Sequence, residues 1–284
     1  MQIVIMDFRR DSAAVGTLHE LAPSKDLKKA LECPICKEVP LAPIYTCSSG
    51  HTICGKCRSD QRCGICKEDL SKTARNVTVE LIVSNSSFWC KYLSDGCPKI
   101  IKGSEYRDHL NNCNYRRIHC FELENKKCMG EQVRFKDYFK HLKDVHDIQG
   151  FHMPLATLTM SEYSNCLASD GPWPLYYLQY DDEVFLRHMT CVNSIVYWWF
   201  TMIGSAEQAA NYKVKVSIYM KHSENSRVDW TVPVYSVRSP PDELAKCFRV
   251  AIPAKQLETY CTSRQHPHGE TYKFVMNLKY EIFM

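Results

Sequence analysis

Eight residues suited to soft metals fall in one short stretch: Cys33, Cys36, Cys47, His51, Cys54, Cys57, Cys63 and Cys66. Their order is C-x2-C, ten residues, C-x3-H, two residues, C-x2-C, five residues, C-x2-C. Packing of an apolar core does not generate such a pattern. Thiolates and imidazole suit zinc, and a closed shell of four ligands makes a structural site. Eight ligands therefore make two sites. The five residues between Cys57 and Cys63 leave little room for a separate second lobe. That favours interleaving, with Cys33, Cys36, Cys54 and Cys57 on one ion and Cys47, His51, Cys63 and Cys66 on the other. Two separate zinc ribbons or a redox cluster are the competing arrangements.

A second group of ligand types follows. Cys90, Cys97, His109 and Cys113 are spaced x6, x11, x3, and Cys120, Cys128, His141 and His146 are spaced x7, x12, x4. The quartets are near-repeats. In each, a cysteine-bearing loop or hairpin precedes a helical segment that carries the last two ligands. Ser104 is the expected cap of the first helix, with Glu105 and Asp108 in its early turns. His109 and Cys113 then share one face as an i, i+4 pair. Phe135, Phe139 and Leu142 form an apolar stripe beside His141. Units this small cannot fold on their own cores, so metal binding must supply the missing free energy. A DNA-reading finger has two to four residues between its cysteines, so the wider loops here argue against base reading.

The elements that must position these ligands are short. Residues 1–26 read as a flexible leader, and Asp26–Leu31 as a short helix feeding Cys33. From about residue 148 the pattern changes to period-two alternation. Tyr212, Val214, Val216, Ile218 and Met220 mark one strand, Val228, Trp230, Val232 and Val234 a second, and Tyr272 to Met284 a third. Pro233 suggests an edge or bulge. Ile195–Phe200 is continuously apolar, as in a strand buried on both faces. One short helix is expected near Ala254–Tyr260. Short alternating strands with turn signals argue for an antiparallel sandwich.

Length and composition bound the rest. The 284 residues suffice for two or three domains. The start has only six apolar-leaning residues before Asp7, too few for a signal core, and no run is long enough to span a membrane. Sixteen cysteines in a reducing compartment point to metal rather than disulfides. Formal net charge is +4. Twelve thiolates against four dications bring it near zero, so the mildly basic balance does not indicate a nucleic-acid partner. Cys166, Cys191, Cys247 and Cys261 lack pair spacing and read as small buried hydrophobes. His266 and His268, flanking Pro267, read as a solvated loop. There is no glycine-rich phosphate loop and no nucleophile motif. Trp198 and Trp199 read as core or dimer contacts.

A RING finger, two such zinc fingers and a β-sandwich, in this order, resemble the seven in absentia (sina/SIAH) family of RING-type ubiquitin ligases. The resemblance rests on CPIC, C-SSG-H, CGKC and CGIC in the zinc region. It extends more loosely to TMIGSAEQAANYKVKVSI and FRVAIPAKQLETY. It implies a zinc-rich α+β amino-terminal half followed by an all-β antiparallel, TRAF-like sandwich. The domains would be a leader at 1–26, a RING at 27–72, tandem zinc fingers at 73–148, and a sandwich at 149–284 for substrate binding and dimerisation. Four zinc ions are implied, two in the RING and one in each finger.

The implied activity is scaffolding. A ubiquitin-conjugating enzyme docks on the RING, and ubiquitin passes to lysines of a substrate or adaptor-bound protein held by the sandwich, marking it for degradation. By the same resemblance Ile35, Pro43, Ile44 and Lys67 lie on the docking surface, and Trp173 is a candidate for a peptide groove. A homodimer in the cytoplasm, and also the nucleus, is expected, with no membrane association. Family members usually carry proline where this chain has Gly64, and arginine where it has Lys67. Lysine keeps the charge but not the planar fork. A folded but non-catalytic adaptor is therefore the alternative.

Overall fold

The metal-ligand residues of the first half sit on elements too short to be stable alone. The computed structural model describes residues 29–59, 62–120, 128, 131–152, 155–160, 170–220, 223–264 and 273–284. The 1–26 leader, the start of the 26–31 helix, Cys166 and the His266–His268 loop lie outside the described residues. The chain divides into two compact units, the first ending at Arg116 and the second beginning at Arg117.

In the first unit, β1 (Ile44–Thr46) pairs antiparallel with both β2 (Thr52–Cys54) and β3 (Ala74–Arg75). A helix, Val77–Asn85, follows at once. Its N-terminus is capped by Asn76, whose side chain accepts from the Val79 N–H. Glu80 pins this helix to the sheet. It accepts from Arg75 at 2.8 Å and from the Ile44 N–H at 2.9 Å. The Arg75 guanidinium, then that N–H, draw its carboxyl down to about 2.

Next, β4 (Ser87–Trp89) and β5 (Ile100–Lys102) form a hairpin, followed by the helix Tyr106–Asn112. Ser104 does not cap this helix. The cap position is Glu105, and no side chain bonds there. The reason is packing: the Ser104 N–H donates to the Ser84 carbonyl at 3.1 Å. A Cβ on neighbouring Gly103 would fall 1.9 Å from the Val83 oxygen, so this turn is pressed against the preceding helix. Leu31, Ile44, Val83, Phe88, Ile101 and Tyr106 form one core.

The second unit opens with the hairpin of β6 (Arg117–His119) and β7 (Gln132–Arg134) and the helix Tyr138–His146. That helix stops at Asp147 in the left-handed region, φ 52°. The chain then enters a large sheet as β8 (Gln149–His152) and β9 (Leu155–Met160). There follow β10 (Gly171–Pro172), β11 (Tyr176–Tyr180), β12 (Glu183–Val192), β13 (Ile195–Met202), β14 (Lys213–Met220) and β15 (Ser223–Ser236). The last strands are β16 (Val250–Pro253), β17 (Cys261–Arg264) and β18 (Lys273–Phe283).

The main path runs β17-β18-β14-β15-β13-β12-β11-β8, with β9 on β18, β10 on β12 and β16 on β13. Most pairings are antiparallel, but β8–β11 and β13–β15 are parallel, so the sheet is mixed. It also curls. Tyr280 on β18 meets Trp198 and Phe200 on β13 edge-to-face, each at 5.8 Å between ring centroids, although those strands are not neighbours. The curled sheet wraps one apolar core that includes Phe185, Val214, Val216, Leu257 and Leu278.

Several details differ from the sequence reading. In Ile195–Phe200 burial alternates: Val196, Trp198 and Phe200 are fully buried, while Ile195, Tyr197 and Trp199 are half-buried. On the outer face His188 stacks on Trp199 and the Arg249 guanidinium lies over the same ring. Pro233 is not on an edge strand. It occupies the last rung with β14, and pairing with β13 starts at Val234, so the missing N–H falls where β15 changes partners. Short helices number three among the described residues of the sheet region: Ala206–Ala210, Pro241–Ala245 and Ala254–Glu258. Trp173, proposed for a peptide groove, is 4% exposed and belongs to the core. Its N–H donates to the Met189 carbonyl. Cys191 and Cys247 are buried as expected. Cys261 starts β17, and its side chain lies outside the described residues.

Candidate metal centres

Two knuckles build the first site pair, and their backbones match. At Cys33–Cys36 the Cys33 N–H donates to the Glu38 carbonyl and the Lys37 N–H to the Cys33 carbonyl. At Cys63–Cys66 the Cys63 N–H donates to Glu68 and the Lys67 N–H to Cys63 in the same way. Lys37 and Lys67 both take positive φ, 60° and 63°. The sequence signal is the repeat CPICKE and CGICKE, which ligand spacing alone does not bring out. Hairpin β1–β2 carries Cys47 and His51 at its turn and Cys54 at its end.

Interleaving results. Cys33, Cys36, Cys54 and Cys57 gather at one place, and Cys47, His51, Cys63 and Cys66 at another. In each group the ligand atoms lie within 4.8 Å of one another. Cys36 Sγ is 3.8 Å from Cys54 Sγ, and Cys47 Sγ is 3.7 Å from Cys66 Sγ and 3.4 Å from His51 Nδ1. Glu68 ties the second place together from outside, accepting from Ser49 at 2.8 Å and from Ser48.

The later quartets also converge, Cys90, Cys97, His109 and Cys113 in the first unit and Cys120, Cys128, His141 and His146 in the second. His109 presents Nε2 at 3.2 Å from Cys90 Sγ. His146 Nε2 is 3.3 Å from both Cys120 Sγ and His141 Nε2. Four Cys/His groups could thus each hold a metal ion.

The electrostatics fit cation binding. Burial pushes the Cys57 thiol up and the Cys90 thiol up to about 12. Such sulfurs ionise readily only beside a positive charge. Burial also opposes ionisation at Cys33 and Cys63, but backbone N–H groups of the knuckles aim at these sulfurs and hold both thiols below the usual range.

The residues expected on a docking surface separate by burial. Pro43 is exposed and Ile35 half-buried. Ile44 has no exposed surface: it opens β1 and its side chain lies in the first unit's core. It supports that surface from beneath and cannot touch a partner. Lys67 is exposed, and its Nζ folds back to the Gly64 carbonyl at 3.1 Å. A Cβ on Gly64 would lie 2.7 Å from the Pro34 oxygen and 3.3 Å from Ile35 Cγ1. Glycine is therefore what lets the two knuckles touch. Ile65, the counterpart of Ile35 in the repeat, is 58% exposed; the sequence reading passed over it. Among the described residues no helix is long and apolar enough to cross a membrane.

Two interleaved Cys/His quartets across one small hairpin define a RING-type metal-binding module, here followed by two further Cys/His groups. The family profile described as "E3 ubiquitin-protein ligase sina/sinah, RING finger" matches residues 33–69. The chain is 38% identical over 130 residues to "E3 ubiquitin-protein ligase sina" of Schistosoma mansoni, covering 45% of this chain and 35% of the relative. It is 26% identical over 227 residues to "E3 ubiquitin-protein ligase siah2" of Xenopus laevis, covering 75% and 68%. With "E3 ubiquitin-protein ligase SINAT5" of Arabidopsis thaliana the figures are 28% over 214 residues, 72% and 67%. The matched stretch is thus about a third of the first relative and about two thirds of the other two. The RING stretch is similar to that of the sina/sinah E3 ubiquitin-protein ligases, and the longer matches carry the similarity over most of the chain at lower identity.

Proposed function

We propose that this chain is a ubiquitin-protein ligase that holds four zinc ions and acts by scaffolding. The observation that carries the reading is the interleaved pair of quartets within the stretch that matches the family profile. Zinc is favoured over other ions by the donor set and by size. Zn–S bonds of about 2.3 Å in a tetrahedron give S–S edges of about 3.8 Å. The separations of 3.7, 3.8 and 3.9 Å at Cys47–Cys66, Cys36–Cys54 and Cys90–Cys113 agree with that. The sixteen Cys and His residues of the four groups are the ligands in this reading. When bound, zinc fixes the loops and supplies no chemistry to the transfer.

Ile35 and Pro43 would receive the conjugating enzyme, and Lys67 would lie at the rim. An exposed proline and a half-buried isoleucine flanked by rigid metal loops suit a transient interface. Rate would come from orienting the charged thioester toward a substrate lysine. The curled sheet corresponds, in this reading, to the family's TRAF-like sandwich, binding substrates or adaptors and pairing the chain into a homodimer. The functional divisions would be a RING at 27–72, fingers at 73–148 and the sandwich from 149. Action in the cytoplasm and nucleus follows from a reducing environment for free thiols.

One observation favours the alternative of a non-catalytic adaptor. The Lys67 ammonium gives one N–H to its own loop at the Gly64 carbonyl, which turns it back from the rim. An autoubiquitination reaction with zinc-loaded protein, activating enzyme, ubiquitin and a panel of conjugating enzymes separates the two. Transfer that disappears on chelation and with Ile35→Ala, while the variant keeps its zinc, establishes the ligase. Folded, zinc-loaded protein that transfers with no conjugating enzyme establishes the adaptor.

A further inference from the structure

The first unit contains a cleft of about 590 Å³ between the Cys33/Cys36/Cys54/Cys57 group and the finger that follows. Its size is that of a ligand-binding pocket. The floor is apolar and aromatic, with Leu41, Trp89 and Leu110 contributing. The walls are cationic: five Lys or Arg side chains line it against a single carboxylate, Glu38.

These charges have unequal commitments. Glu38 is consumed by Lys91 at 2.9 Å. Lys37 and Lys56 stand beside Cys36 and Cys54, where four thiolates around a dication would leave two negative charges for them to offset. Two arginines on the finger side remain. Arg107 gives one N–H to the Ala42 carbonyl at 2.6 Å, and Arg116 one to the Asn111 carbonyl at 3.4 Å. A guanidinium carries five donors, so each keeps several for a carboxylate.

We propose that this cleft recognises an acidic segment of a partner protein, its carboxylates held by Arg107 and Arg116 and an apolar side chain seated on the floor between them. The chemistry favours a peptide over a nucleic acid. A nucleic acid needs a track of several uncommitted cations, whereas two guanidiniums beside an apolar floor serve a few carboxylates and one apolar side chain. The cleft lies within the first unit and shares Pro43 with the proposed docking surface.

The test uses the full zinc-loaded chain and a fluorescein-labelled peptide of alternating glutamate and leucine, read by fluorescence anisotropy. The expected result is saturable binding that weakens with salt, is absent for the lysine–leucine counterpart, and falls about tenfold or more in Arg107→Gln/Arg116→Gln. Lys255→Gln, an exposed change on the second unit, leaves it unaltered. Binding that survives the double substitution, or no binding by the wild-type chain, overturns the proposal. So does single-stranded RNA binding more tightly than the peptide at the same arginines. Should the double variant lose zinc, photo-crosslinking of the peptide to wild-type protein decides. Adducts within 89–116 support the cleft, and adducts on the second unit overturn it.

Discussion

The two later Cys/His quartets are near-repeats in spacing yet belong to different bodies. Around Cys90, Cys97, His109 and Cys113, the finger's Phe88, Ile101 and Tyr106 share a core with Leu31 and Ile44 from the RING side. Around Cys120, Cys128, His141 and His146, the finger's Ile118, Phe135 and Leu142 share a core with Leu175, Leu186 and Val237 of the sheet region. Phe139 adds an edge-to-face contact with Tyr177 at 5.0 Å. Ligand spacing decides how a metal is held. The apolar residues between the ligands decide what the finger is welded to.

Removing one ligand gives the largest effect, since structural zinc contributes on the order of 10 kcal/mol to folding of such units. Cys97→Ser is expected to release an ion and make the first unit protease-sensitive as far back as the RING, with ubiquitin transfer lost. Cys120→Ser is expected to lower the melting temperature of the sheet while transfer chemistry persists. Limited proteolysis with zinc counting checks both. Loss of RING protection in Cys120→Ser would break the comparison.

Core truncations come next. Phe88→Ala should cost about 3–5 kcal/mol in the first unit, and Leu142→Ala about 2–5 kcal/mol in the second. Both side chains are fully buried. Denaturation followed with a probe in each unit should show one transition moving at a time. A smaller change sharpens the second weld. The Arg238 guanidinium lies 3.4 Å from the Phe135 ring centroid. Arg238→Met should weaken the second unit by about 1–2 kcal/mol, and the first not at all.

A last effect, absent near neutral pH, separates the units by pH. His188 stacks on Trp199 at 5.1 Å. Burial, then the charges of Arg187 and Arg249, lower its pKa from 6.5 to about 3. The unfolded chain therefore binds more protons between those values, so stability is present above about pH 6.5 and is lost as pH falls toward 3. Against wild type, His188→Asn should flatten that slope in the second unit by at most ~1.4 kcal/mol per pH unit. Equal slopes in both proteins would remove His188 from the account. Comparing the variant with wild type cancels protonation at the metal-site histidines.

Much of this was legible in the sequence because metal chemistry writes itself into spacing. All four quartets could be grouped from C-x2-C units and paired Cys/His positions, and β14 and β18 could be drawn from alternation alone. What spacing could not carry was the third dimension of packing. Ile44 looks like a surface residue beside Pro43 until β1 turns it inward. Ser104 has cap chemistry, but the Gly103 turn presses it against another helix. Trp173, a peptide-groove candidate by resemblance, is a core residue. The parallel β13–β15 pairing joins residues far apart in the chain, which no local period records.

The place of β18 sets a schedule for synthesis. It is made after every strand it pairs with, yet it lies inside the sheet, between β14 on one side and β9 and β17 on the other. The strands of the first unit pair over short separations, so its metal loops can close while the ribosome is still at work. The curled sheet cannot close until residues 273–283 have emerged, so the free rows of β14 and β9 wait for them unpaired. That interval is when the nascent chain is most exposed to chaperones and to aggregation.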